Sequence, residues 1–94
     1  MNFGQALEYL KDGYKVARQG WNGKGMFIYL VSGNEVSVSN LRNEALKHVG
    51  MNRATFNKVK INSHIDMQAA DGSIVVGWLA SQTDMLSEDW VVVP

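Results

Sequence analysis

Apolar residues recur along this chain with two periods, and each change of period marks a change of element. Phe3, Ala6, Leu7 and Leu10 fall at helical spacing and form one stripe, with Gln5, Glu8, Lys11 and Asp12 mostly on other sides. Asn2 precedes the stripe as a cap for the first turn. Gly13 follows it, where a left-handed residue ends the last turn at no steric cost. The pattern predicts a helix over about residues 3–12, whose stripe must bury against another layer, most simply a sheet.

From Tyr14 onward the dominant period is two. Tyr14 to Arg18, Met26 to Ser32, Val36 to Ser39, Lys58 to Met67, Ile74 to Leu79 and Asp89 to Pro94 read as strands. Within Lys58 to Met67, the residues Val59, Ile61, Ser63, Ile65 and Met67 share one face, which predicts a single long strand. The turn Ser32-Gly33-Asn34-Glu35 predicts a hairpin between the second and third runs. Ala70-Asp71-Gly72-Ser73 predicts another. Short turns between such runs imply antiparallel pairing.

Two segments depart from this rhythm. Residues 40–49 favour a helix, with Ser39 or Asn40 as cap and Leu41, Ala45, Leu46 and Val49 as a weak stripe, and residues 50–57 read as loop. Ser81 with Asp84 three positions later is a capping-box pattern for a one-turn helix within residues 80–88. The expected class is α+β: an N-terminal helix packed on a small antiparallel sheet of about five strands, with a short middle helix, in a single domain over residues 1–94.

Composition narrows what such a domain can do. Apolar residues make up 46% of the chain, enough for a folded core. Nine basic and nine acidic residues cancel, so a partner of many phosphates such as long nucleic acid is not expected. The absence of cysteine excludes disulfides and thiol catalysis. No run approaches the roughly 18–20 apolar residues of a membrane span, and the N-terminus lacks a charged stretch followed by an apolar one. These features predict a soluble intracellular domain with no membrane partner. Five methionines and three tryptophans in so short a chain also suggest apolar surface completed by other copies.

Candidate chemistry concentrates in two stretches. Trp21 lies in the glycine-rich loop Gly20-Trp21-Asn22-Gly23-Lys24-Gly25. One reading is an Asn-Gly hairpin turn with Trp21 packed on a neighbouring strand. The other is a stacking platform, worth about 1–3 kcal/mol per nucleobase. Gly20, Gly23 and Gly25 would then expose backbone amides to phosphate oxygens, with Arg18 and Lys24 supplying charge. The spacing is not that of a Walker or dinucleotide-binding loop.

The second stretch, Trp78 to Trp90, brackets Ser81, Gln82, Thr83 and Asp84 between two tryptophans. Structurally, Ser81 and Asp84 cap each other, Met85 and Leu86 fill the core, and Asp89 caps or pairs. Functionally, Gln82 and Asp84 suit base-edge and ribose-hydroxyl recognition. His64 and Asp66 could supply two metal ligands on one strand face, with Asp84, Glu88 or Asp89 as candidates for a third, none of them identified by spacing. No nucleophile has an activating partner. They read as polar residues on the solvent or subunit-facing side of a strand. No metal or other cofactor is expected.

The motif Phe3-x-x-Ala6-Leu7-x-x-Leu10-x-x-Gly13-x-x-Val16-Ala17-Arg18-x-Gly20-Trp21-Asn22-Gly23 resembles the opening of a family of small phage and prophage domains. Trp78-x-x-Ser81-Gln82-x-Asp84-Met85-Leu86-x-x-Asp89-Trp90 is similar to its ending. That family includes the second type of Thoeris anti-defence protein, a phage-encoded sponge. The resemblance covers about residues 2–32 and 64–93, and residues 33–62 fall outside it. It implies a helix on an antiparallel sheet, assembled as homotetramers in the cytoplasm of the infected bacterial host. Between their subunits these assemblies would hold cyclic nucleotide immune signals intact: glycocyclic ADP-ribose isomers and, in some members, cyclic dinucleotides or oligonucleotides. The resemblance carries over Trp21, Asn22, Trp78, Ser81, Gln82 and Asp84 as ligand-binding positions, to which the residue reading adds Arg18 and Lys24. The competing expectations are an enzyme that cleaves such signals through His64, Asp66 or Asp84, and a protein-binding or virion-associated module anchored by Trp21 and Trp78.

Overall fold

The computed structural model describes residues 1–50 and 57–94. Chain contacts divide them into two compact units, one formed by Met1–Val31 with His64–Pro94 and the other lying within Ser32–Ser63.

In the first unit the helix α1 spans Phe3–Lys11. Asn2 accepts the Gln5 amide and Gln5 reciprocates to the Asn2 amide, both at 2.9 Å, so two otherwise unpaired donors of the first turn are satisfied. Gly13 adopts φ +92 beyond the last turn, as its position in the sequence predicts. The antiparallel sheet contains β1 (Lys15–Arg18), β2 (Phe27–Val31), β5 (His64–Gln68), β6 (Ile74–Val75) and β7 (Trp90–Val93), in the order β6-β5-β2-β1-β7. The class is α+β. Ala6 and Leu10 bury from the helix against Val16, Ile28, Met67 and Trp90, with Phe3, Leu7, Trp21 and Trp78 packed around them.

The last strand run begins at Trp90 and is paired along β1, Arg18 facing Trp90 and Lys15 facing Val93. Ile74 and Val75 pair with β5, but the strand expected to continue to Leu79 stops there. Gly77 takes φ +83 and turns the chain out of the ladder, so that the Trp78 amide donates to the Ile65 carbonyl at 2.7 Å. The short helix α3 (Gln82–Leu86) follows, with the Ser81–Asp84 capping box formed in both directions. Met85 and Leu86 do not plug the core; both are exposed, Leu86 by 79%. One helical turn has no second turn with which to make a continuous buried stripe.

In the second unit β3 (Asn34–Ser37) pairs with β4 (Lys58–Ile61), from Asn34 opposite Ile61 to Ser37 opposite Lys58. The expected hairpin between Met26–Ser32 and Val36–Ser39 is therefore absent. Strand β2 already has β1 on one edge and β5 on the other, which leaves no edge for β3. The expected long strand over Lys58–Met67 is likewise two strands in two sheets, parted at Asn62 and Ser63. Within the second unit, Gly33 lets the two chain segments approach closely. A Cβ there would collide with the Ile61 carbonyl oxygen and come within 2.7 Å of the Ser63 amide nitrogen, while its own amide donates to the Ser63 hydroxyl at 2.9 Å.

The middle helix is shorter and less regular than expected. A single 3-10 turn at Val38–Asn40 precedes α2 (Asn43–Ala45), which widens into a π-helical turn over Leu46–Gly50. Its N-cap is Arg42, with no side-chain capping bond, rather than Ser39 or Asn40. Of the loop expected over residues 50–57, Gly50 belongs to that wide turn, and residues 51–56 lie outside the described residues.

Candidate functional site

The candidate residues lie in the first unit. Antiparallel pairing of β1 with β7 places Arg18 opposite Trp90 and so beside Asp89. The guanidinium bridges two carboxylates: Nε donates to Asp89 Oδ1 and Nη1 to Asp84 Oδ1, each at 2.9 Å. Asp89 Oδ2 also accepts the Gly20 amide at 2.7 Å, and the Asp89 carbonyl accepts the Gln19 amide. The start of the Trp21 loop is thus held by one residue, through its side chain and its carbonyl, from the distant end of the sequence.

Asp84 holds the ring itself. Its Oδ1 accepts the Trp21 indole N–H at 3.1 Å, its Oδ2 accepts the Ser81 amide, and its backbone carbonyl accepts the Trp90 indole N–H at 2.9 Å. Asp84 is only 8% exposed. Burial alone would raise its pKa; Arg18, the Ser81 amide, the Trp21 indole and the Ser81 hydroxyl outweigh that and bring it down to about 2. Arg18 chiefly, against the cost of burial and with help from the Gly20 amide, holds Asp89 below the usual carboxylate range. Those carboxylates in turn raise Arg18, Asp89 before Asp84. The network is ionised throughout the physiological range.

Three indoles meet above it. Trp90 is fully buried, and the half-buried Trp21 and Trp78 each contact it edge-on, at 5.4 and 6.3 Å between centroids. Trp21 and Trp78 stand 6.2 Å apart at 67°. Both outer tryptophans are thus partly exposed residues whose rings are held by packing against Trp90 and each other. No pocket or cleft accompanies them among the described residues of the single chain.

Asn22, Lys24, Ser81 and Gln82 are exposed close in sequence to these rings. Of the three glycines expected to present bare amides, Gly20 has its amide engaged, and Gly23 is also required by close packing. Gly20 donates its amide to Asp89, and a Cβ on Gly23 would stand 2.6 Å from Ala70 Cβ and from Met26 Sδ. Only around Gly25, at φ +75, is the space open. Asn22-Gly23 is thus not a two-residue hairpin turn; Gly25 supplies the left-handed residue in a longer loop.

Two residues stand outside the sequence-derived site. Asp89 was legible there only as a cap or ion-pair partner, and its grip on Gly20 depends on a non-local approach. Asp66 is buried rather than turned to solvent, with Oδ1 accepting the Gly77 amide at 3.0 Å and His64 Nε2 3.5 Å away. Among the described residues no group of three or more histidines and carboxylates is arranged to hold a metal ion. No helix among them is long and apolar enough to cross a membrane.

Comparison with known proteins gives two findings. A family model described as a Thoeris anti-defense 2-like domain matches residues 1–93, and so includes the middle segment that the resemblance in sequence did not reach. The chain is also similar to Thoeris anti-defense 2 of Bacillus phage SP01, with 38% identity over 94 residues, covering 99% of this chain and 94% of that protein.

Proposed function

The chain belongs to the Thoeris anti-defense 2-like family of phage anti-defence proteins, and from that premise we propose that it sequesters a cyclic nucleotide immune signal without cleaving it. The observation that carries the reading is the pair of partly exposed tryptophans, Trp21 and Trp78, whose rings pack edge-on against each other and against the buried Trp90. A rigid, partly dry aromatic surface suits a nucleobase, whose stacking is worth about 1–3 kcal/mol. The ligands of this proposal are glycocyclic ADP-ribose isomers and, as a second class, cyclic dinucleotides.

In this reading Trp21 and Trp78 stack, Lys24 meets phosphate, and Asn22 and Gln82 address polar edges of the ligand. Arg18, Ser81 and Asp84 hold the Trp21 ring in place through the bonds described above, their polar groups being engaged with one another. The signal stays intact, and the bacterial effector that awaits it is never switched on in the host cytoplasm.

Out-competing a receptor takes roughly nanomolar affinity, about −12 kcal/mol. Two stacked indoles supply a fraction of that, so the reading places the ligand between subunits of a homo-oligomer, a tetramer by analogy with the family. Exposed apolar residues near the site support this: Val76, Leu79 and Leu86 are 72%, 90% and 79% exposed.

Calorimetric titration with a glycocyclic ADP-ribose and with a cyclic dinucleotide tests the proposal. One of the two should bind the parent tightly, and Trp21→Ala should weaken it by roughly tenfold or more, the value of one stacked base. Equal affinity of Trp21→Ala and the parent would remove the stacking role.

A further inference from the structure

A second buried carboxylate in the first unit has no part in the network around Arg18. Asp66 lies on β5, only 6% exposed, and accepts the Gly77 amide at 3.0 Å. The next amide along the chain, that of Trp78, donates to the carbonyl of the preceding β5 residue, Ile65, at 2.7 Å. Two consecutive amides are thus pinned to two consecutive residues of one strand, just where Gly77 at φ +83 turns the chain. Among the described residues no atom lies within 4 Å of a Cβ built on Gly77, so the glycine serves the backbone bend.

What else holds Trp78? Val76 and Leu79 on either side are strongly exposed, so the burial of its neighbours contributes little. The ring itself makes edge contacts with Trp21, Trp90 and Phe3, which fix its height but not the path of its backbone. A buried carboxylate is costly unless bonded, and a charged acceptor makes roughly twice as strong a bond to an amide as a neutral one. His64 Nε2, 3.5 Å from the same oxygen, lies against it from the strand side.

We infer that Asp66 is a positioning residue for Trp78, anchoring the Gly77 turn so that the indole stands beside Trp21 in a binding pose. The inference rests on the sequestration reading only for what the indole does once placed. Each outer tryptophan is then set by its own buried carboxylate: Trp21 through its ring nitrogen and Asp84, Trp78 through its backbone and Asp66.

The test uses the full chain with two probes, a glycocyclic ADP-ribose and a cyclic dinucleotide. Asp66→Ala should weaken the probe that binds the parent by roughly tenfold, as loss of a charge-assisted bond implies. Asp66→Asn, whose amide oxygen can still accept from Gly77, should recover most of that loss. The deciding measurement is a double-mutant cycle: in a Trp78→Ala background, Asp66→Ala should cost nothing further. An Asp66→Ala protein that binds like the parent, or whose penalty persists unchanged without Trp78, overturns the inference. Should Asp66→Ala not fold, Gly77→Ala strains the same turn at an exposed position and should show the same dependence on Trp78; equal penalties with and without Trp78 would overturn it. Near-UV circular dichroism of the free protein separates the two readings. Binding of neither probe by the parent defeats sequestration, whereas an indole spectrum unaltered by Asp66→Ala defeats the positioning role.

Discussion

Asp84 joins the Ser81 cap, the Arg18 ion pair and the Trp21 indole at one carboxyl group. Its contribution to stability has a definite sign with pH. The folded-state pKa, about 2, lies below the ordinary carboxylate value, so the unfolded chain binds the proton more readily. The stabilisation is complete above about pH 4, amounts to something on the order of 2 kcal/mol, and is lost as pH falls toward 2. Asp89 is shifted in the same direction and steepens the loss. Chemical denaturation between pH 7 and pH 2 should show this decline. Arg18→Met removes the cation between the two carboxylates; it should cost about 3 kcal/mol at pH 7 and flatten the acid limb of the profile. An unchanged profile would mean that the pair is not what lowers these groups.

At the scale of elements, the Trp21 loop is shaped from outside itself. Asp89 takes the Gly20 amide, and Ala70 and Met26 occupy the space in which Gly23 would carry a Cβ. Gly23→Ala should therefore lower stability by about 1–3 kcal/mol and disturb Trp21 fluorescence, since the loop must move to relieve the contact. Parent-like melting and emission would show that the neighbours yield freely. Local signals in the sequence identify α1, with its Asn2–Gln5 box, the Ser81–Asp84 turn, and the strands β1, β2 and β7. Period two marks a strand but not its partner. For that reason the expected pairing of the runs on either side of Ser32–Glu35 fails, and the run Lys58–Met67 conceals a break between two sheets. The exposure of Met85 and Leu86 and the burial of Asp66 have the same origin. Each depends on what packs from far along the chain, which in the case of Asp66 is the turn at Gly77. Of the candidate site, the tryptophans and the capping pair are legible in the sequence. That Arg18 is held between two carboxylates is not.

At the scale of the molecule, family membership covers residues 1–93, both compact units included. In the proposed function, assembly and binding are one question. Leu79 and Leu86 contribute almost nothing to the core of one chain, so replacing either with glutamate should leave the melting of a dissociated subunit within about 0.5 kcal/mol of the parent. On light scattering, the same changes should reduce the assembled mass, and ligand affinity should fall with it. Full assembly of Leu79→Glu together with Leu86→Glu would exclude this surface from the subunit contact. A bound signal at a hundredfold excess over its Kd should add about 2.7 kcal/mol to stability. The central claim, retention without cleavage, is tested most directly by recovery of the ligand. The protein is incubated with a glycocyclic ADP-ribose or a cyclic dinucleotide, freed of unbound nucleotide, denatured, and the supernatant is analysed by mass spectrometry. Unaltered cyclic nucleotide, released only on denaturation, is the predicted result; a linear or hydrolysed product would contradict it.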